Sequence, residues 1–96
     1  GNQWIVTADF ALLNDKEDTI QLNDNVVMQQ QNIEPAVTIR TQSMLFDTKT
    51  QVAQTDARVN ITQGKSQLTS TGMTYNNITS ELELKSSVKG HYLPYE

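Results

Sequence analysis

The sequence has no cysteine and only one histidine among its 96 residues. Without cysteine it can form no disulfide and no thiolate site. The absence does not settle the compartment, because such a chain fits oxidising and reducing surroundings alike. The single histidine and the dispersed carboxylates provide no cluster at metal-ligand spacing. The sequence therefore predicts no metal and no cofactor, and it disfavours an enzyme.

Long apolar runs and clustered basic residues are also missing. No stretch approaches the roughly 18 apolar residues that span a bilayer, and Gly1 to Gln3 lack the features of a signal peptide. We expect any anchor or export segment to have been removed from this chain. The seven basic residues are scattered from Lys16 to Lys89, and the net charge is −4. Nucleic acid is therefore not expected as a partner.

The composition that is present suits one small β-domain over residues 1–96. Ser, Thr, Asn and Gln exceed a third of the chain, whereas charged residues are only 19%, so the surface is polar without being strongly charged. Leu, Ile, Val and Phe lie just above the roughly 20% below which chains tend to stay disordered. With a length this short, folding should leave a narrow margin of stability.

Alternation of apolar and polar residues at period two predicts six strands. The first covers residues 3–13, with Trp4, Val6, Ala8, Phe10 and Leu12 on one face. Others follow over 20–28, with an irregularity at Asp24 and Asn25, and over 37–45, 53–61, 68–75 and 82–88. In the third strand the shared face holds Val37, Ile39, Thr41, Ser43 and Leu45. No segment has the period of a long helix.

Turn signals recur between these strands at residues 14–18, 47–50 and 76–79, where Asn and Asp tolerate left-handed backbone. Leu12 and Leu45 are 33 positions apart, and so are Val26 and Val59. The spacing predicts three strand-turn-strand units, which must stack or fold over one another to bury their apolar faces. It favours a sandwich, a jelly roll or a short β-solenoid.

Candidate catalytic residues have simpler explanations. His91 lies near the end of the last predicted strand, where an exposed terminal residue is the better interpretation. Asp47 fits a turn initiator, and Asp56 fits a solvent-facing strand position. Two binding surfaces remain. One is an apolar interior, which in most small β-domains is a filled core, and the other is a free sheet edge that can accept a partner strand.

Several motifs, taken in order, resemble the LptC family of lipopolysaccharide export proteins, within the β-jelly-roll superfamily that includes LptA. The matching residues are Trp4-x-x-x-Ala8, Leu22-x-x-x-Val26, Thr41, Asp56-x-x-Val59-x-Ile61-x-x-Gly64, Gly72-Met73-x-Tyr75 and Leu82-x-Leu84-x-x-x-Val88. The resemblance covers nearly the whole chain. It implies a twisted antiparallel β-jelly roll, open at its ends, in a periplasmic domain whose membrane anchor and early strands are absent here.

The resemblance also implies a function and residues for it. Family members are not enzymes: they receive lipopolysaccharide from an inner-membrane ABC transporter and pass it to LptA. The expected lipid-facing interior consists of Val6, Ala8, Leu22, Val26, Ile39, Val59, Leu82, Leu84 and Val88. The expected docking edge for LptA consists of Val88, Lys89, Gly90, His91 and Tyr92, and Gly64 matches a functional glycine. The alternative is a structural β-repeat of a surface or adhesin-type protein, with a filled core and no ligand.

Overall fold

Seven antiparallel strands make up the computed structural model, which describes residues 3–31 and 33–91. The first two are short, and the other five are long enough to run the length of the molecule. Their bounds are β1 Trp4–Thr7, β2 Phe10–Asn14, β3 Thr19–Gln30, β4 Val37–Asp47, β5 Val52–Gln63, β6 Ser66–Asn76 and β7 Glu81–His91. No helix occurs within the described residues, and the all-β prediction is confirmed.

The strands form one sheet in the order β1-β3-β4-β5-β6-β7, with β2 also paired to β3. From β2 onward each strand pairs with the next, so the chain advances by hairpins across the sheet. The sheet does not close into a barrel, and its architecture is jelly-roll-like, as the sequence predicts. One edge is β7, and the other is shared by β1 and β2.

The amino-terminal segment is two strands rather than the single strand predicted over residues 3–13. The chain breaks at Ala8 and Asp9, where the Asp9 N–H donates to the Asp24 carbonyl at 2.9 Å. Val6 stands opposite Met28, whereas Leu12 stands opposite Gln21. Directly opposed residues share one face of a sheet, so the break moves Phe10 and Leu12 to the face opposite that of Val6. The prediction that one face holds all five residues is therefore wrong.

A line of register shifts crosses the sheet from β3 to β7. Each neighbouring pair has one shift, at Asn23/Val26, Thr41/Leu45, Thr55/Arg58 and Thr69/Thr71. Asp24 and Asn25 both have positive φ there, which confirms the predicted irregularity. Because bulges bend strands and increase their twist, this line divides the sheet into two halves. The first half-sheet contains β1 and residues 26–30, 37–41, 58–63, 66–69 and 89–91; the second contains β2 and residues 19–23, 43–47, 52–55, 71–76 and 81–86.

The two half-sheets face each other across the interior. Trp4 of β1 contacts Tyr75 of β6, with ring centroids 5.2 Å apart in an edge-to-face arrangement. The Trp4 Nε1–H also donates to the Tyr75 hydroxyl at 3.3 Å. In the sheet, three strands separate β1 from β6, which is roughly 19 Å if the sheet were flat. The contact therefore requires the sheet to fold back on itself.

The core lies on the concave inner face of this folded sheet. Its members come from β3 to β6 and are at most 7% exposed: Val26, Met28, Ile39, Met44, Ala53, Val59, Ile61, Met73 and Tyr75. Buried Thr41, Thr55 and Ser70 lie among them, and the Thr41 hydroxyl donates to the Arg58 carbonyl at 2.9 Å. The small number of large side chains agrees with the lean composition.

The three predicted hairpin turns are present and share one hydrogen-bonding pattern. Asn14, Asp47 and Asn76 each end a strand, and one side-chain oxygen of each accepts the backbone N–H groups two and three residues later. The Thr50 N–H, and then the Lys49 N–H, favour the ionised form and lower the pKa of Asp47 below its ordinary value. Repetition of this hydrogen-bonding pattern supports the interpretation of the sequence as three strand-turn-strand units.

Candidate functional site

A cavity of about 950 Å³ lies between the two half-sheets. Its walls are mainly apolar, with a few amides among them. They consist of Gln3, Trp4, Ile5, Val6, Ile20, Leu22, Met28, Gln31, Met44, Phe46, Ala53, Tyr75 and Asn77. The volume is at the upper end of the 300–1,000 Å³ typical of small-molecule sites, and apolar walls with few polar groups are typical of such sites.

Strand register explains why these side chains converge. In the first half-sheet, Val6 stands opposite Met28. In the second, Leu22 stands opposite Met44. A further row of opposed residues runs through Ile20, Phe46, Ala53 and Tyr75. Since opposed residues share a face, both half-sheets turn an apolar surface toward the cavity.

Sequence-predicted interior residues fall into four groups. Val6 and Leu22 line the cavity, while Val26, Ile39 and Val59 are at most 1% exposed and form the packed core beside it. Ala8 and Leu84 are half-buried against that core. Leu82 and Val88, both on β7, are 42% and 50% exposed, and Val6 itself is 42% exposed. These three lie on edge strands, which have a neighbour on one side only, so the structure does not enclose them as the alternation predicts.

Several cavity residues were missed by sequence reasoning because β4 crosses the line of register shifts. Period two places Ser43 and Leu45 on the same face as Ile39 and Thr41. The register shift between Thr41 and Leu45 reverses this phase, so that Met44 is 1% exposed and Phe46 lines the cavity. The sequence contains a signal for this reversal. Together, Met44 and Phe46 are larger and more apolar than Ser43 and Leu45, with which they alternate.

The residues predicted to form the docking edge lie on the last strand of the sheet, β7. Val88 to His91 belong to β7, whose one neighbour among the described strands is β6. Gly90 stands opposite Leu68, and a Cβ at Gly90 would lie 3.1 Å from Leu68 Cγ and also 3.1 Å from the Gln67 carbonyl oxygen. Close approach of the β6 side chains therefore favours glycine there. Tyr92 lies outside the described residues.

Gly64, the predicted functional glycine, occupies the tight turn between β5 and β6. Its φ of +58° is in the left-handed region, which L-residues other than Asn and Asp rarely adopt. A Cβ there would lie 3.1 Å from Pro35 Cγ. Gly64 is exposed and does not line the cavity, so its structural role is to close the turn against the β3–β4 connection.

The carboxylates considered for catalysis are not brought together. Asp47 caps its turn, whereas Asp56 lies at the β5 bulge and pairs with Lys85 at 3.1 Å. Within residues 3–31 and 33–91, no group of three or more His, Asp or Glu side chains is placed to hold a metal ion. The same part of the chain contains no helix long and apolar enough to cross a membrane.

The apolar cavity between the halves of this open, folded β-sheet is of a kind that can hold an apolar ligand without a covalent bond. The sequence profile described as "Lipopolysaccharide-assembly, LptC-related" matches residues 1–93. The chain therefore belongs to the LptC family, which the motifs also predict, and the family implies a part in lipopolysaccharide transport. Among curated proteins, no sequence matches this chain significantly.

Proposed function

We propose that the protein is a non-enzymatic conduit for lipopolysaccharide. It receives lipopolysaccharide from an inner-membrane ABC transporter complex and passes it to LptA, in the periplasm, from a full-length form anchored to the inner membrane by one amino-terminal helix. The observation that carries this proposal is the apolar cavity between the half-sheets. It gives acyl chains a place to bind, and family membership supplies the class of lipid.

Acyl chains need no specific polar contact to bind in such a cavity. Each buried CH₂ group contributes about 0.8 kcal/mol, so chains of ordinary length bind through burial alone. Val6 and Leu22 contact the chains directly in this proposal, together with Met44 and Phe46. Val26, Ile39 and Val59 support the cavity from the packed core, and Leu82, Leu84 and Val88 extend its apolar surface toward β7.

Photo-crosslinking at neighbouring positions of β7 tests the lipid path. Leu82 stands opposite Tyr75, which lines the cavity, whereas Glu83 stands opposite Thr74 on the other face. We expect a crosslinking residue at position 82 of the full-length protein to trap lipopolysaccharide, and one at position 83 not to do so. Equal trapping at both positions would contradict an interior path, because successive strand residues face opposite sides of a sheet.

Transfer to LptA is proposed to use the free edge of β7. Its unpaired backbone groups between Val88 and His91 can pair with a strand of a partner, which supplies main-chain hydrogen bonds. Pairing strand to strand would also join the inner faces of two similar sheets into one apolar path. Lys89 at this edge discourages pairing with strands that do not match it.

Truncation after Lys85 tests the docking edge. We expect it to abolish capture of LptA, because it removes residues 86–91 of β7. Lipopolysaccharide binding should be at least partly retained, since residues 78–91 contribute nothing to the lining of the cavity. The measurement is a pull-down with LptA, using a truncated protein whose β-structure is verified by circular dichroism. Undiminished capture by the folded truncated protein would place the docking edge elsewhere, with β1 and β2 as the remaining edge.

A further inference from the structure

A second groove lies on the outer face of the first half-sheet, on the opposite side of the sheet from the lipid cavity. Its volume is about 460 Å³, within the range of small-molecule sites. Its polar lining residues are Asn25, Arg40, Thr41, Gln42, Arg58, Asn60 and Thr69, and its apolar lining residues are Val26, Val27 and Val59. The groove follows the line of register shifts, where the strands bend away from one another.

Strand register brings the two arginines of the chain together in this groove. Arg40 on β4 stands opposite Asn60 on β5, and Arg58 is two residues from Asn60 on the same face of β5. Residues related in this diagonal way have Cα atoms about 7–8 Å apart, well within reach of two arginine side chains. Both residues are exposed, and both line the groove. The sequence separation of 18 residues conceals this proximity.

Neither arginine has an acidic partner. The ion pairs among residues 3–31 and 33–91 are Lys49–Asp18 and Lys85–Asp56, both at 3.1 Å. Asp9 Oδ2 accepts a hydrogen bond from Nδ2–H of Asn25, a residue of the groove, at 2.7 Å, and is not paired with either arginine. The chain has eleven carboxylates and a net charge of −4, and nearby like charges on neighbouring strands destabilise a sheet. Two neighbouring arginines without acidic partners therefore destabilise the folded protein, and a bound anion would offset their repulsion.

The charges of the protein are also divided between its two halves. The second half-sheet and its turns carry Asp15, Glu17, Asp18, Asp47, Asp56, Glu81 and Glu83 against Lys16, Lys49 and Lys85. The first half-sheet and its connections carry Arg40, Arg58, Lys65 and Lys89 against Asp9, Asp24 and Glu34. Lys89 stands opposite Thr69, one strand beyond the groove. The groove thus lies on the less acidic half of the protein, where a bound anion is repelled least.

We propose that this groove binds a small organic phosphate monoester. Arg40 and Arg58 hold the phosphate, because the planar guanidinium fork matches its oxygens bidentately. Asn60 Oδ1 accepts a hydrogen bond from Gln67 Nε2 at 3.2 Å, which leaves the Asn60 amide hydrogens as donors to the same ligand. The groove is larger than a phosphate needs and has room for the organic group esterified to it. The site is on the outer face, so it does not depend on acyl chains in the cavity.

Nuclear magnetic resonance titration of the protein with glucose 1-phosphate tests this site, with glucose and inorganic phosphate as parallel ligands. We expect saturable shifts at the side chains of Arg40 and Arg58 and at the amide of Asn60. Inorganic phosphate should bind the same groups more weakly, and glucose should leave them unchanged. The variant R40Q/R58Q should weaken glucose 1-phosphate binding at least tenfold.

The matched control is K16Q/K49Q, which removes the same charge from the second half-sheet and should change the affinity less than twofold. Equal weakening by both double variants would overturn the proposal, because net charge alone would then explain binding. Shifts confined to other residues would also overturn it. So would binding to phosphatidylglycerol vesicles without binding to glucose 1-phosphate, since the groove would then recognise a bilayer surface. Without ligand, R40Q/R58Q should melt no lower than the parent protein, which separates lost binding from lost folding.

Discussion

Leu22→Asp is expected to weaken lipopolysaccharide binding at least tenfold while the protein stays folded. Leu22 lines the cavity from β3 and is only half-buried, so a carboxylate there can remain hydrated in the empty protein. With lipid bound, the same carboxylate would lie against acyl chains and lose its water, which opposes binding. The tenfold change corresponds to about 1.4 kcal/mol, less than the burial of two CH₂ groups. The affinity is measured by titration with purified lipopolysaccharide.

Leu12→Asp is the matched control for that variant. Leu12 stands opposite Gln21 on the outer face and is 66% exposed. The substitution therefore makes the same chemical change away from the cavity. We expect its lipopolysaccharide affinity to equal that of the parent protein. If Leu12→Asp weakened binding as much as Leu22→Asp, added negative charge rather than the cavity would explain both results.

Ile39→Ala is expected to cause the largest loss of stability, about 2–5 kcal/mol. Ile39 is 1% exposed at the centre of the core, where neighbouring strands leave little room to close the space that its side chain vacates. In a domain of this size each kcal/mol lowers the melting temperature by roughly 4–8 °C. Thermal unfolding followed by circular dichroism measures the effect.

The control for Ile39→Ala is Ile78→Ala, which makes the same deletion at a side chain that is 63% exposed in the turn before β7. Its melting temperature should stay within a few degrees of the parent protein. Similar losses for the two variants would show that the stability of this protein does not depend on the nine-residue core.

Local chemistry made the strands and turns predictable. Period-two alternation located the five long strands, and Asn14, Asp47 and Asn76 marked the ends of β2, β4 and β6. The irregularity at Asp24 and Asn25 was also visible, because Asp and Asn tolerate positive φ. These features depend on neighbouring residues and can therefore be predicted from short stretches of sequence.

Long-range geometry was not predictable in the same way. Bulges change the phase of alternation within a strand, which hid Met44 and Phe46. Folding of the sheet brings Trp4 to Tyr75 across 71 positions, and only this closure creates the cavity. The sequence likewise left open a structural β-repeat with a filled core. A filled core is present around Ile39 and Val59, but the adjoining apolar cavity favours a ligand-binding protein.

Fluorescence of Trp4 tests the central claim most directly. Trp4 is the single tryptophan of the chain and lines the cavity against Tyr75, so its emission reports on the cavity itself. We predict that added lipopolysaccharide shifts this emission to shorter wavelength in a saturable way, because acyl chains displace water from the indole. Leu22→Asp should weaken the response, and Leu12→Asp should leave it intact. Emission that stays unchanged while lipopolysaccharide is bound would contradict the account, because the lipid would then lie outside the cavity.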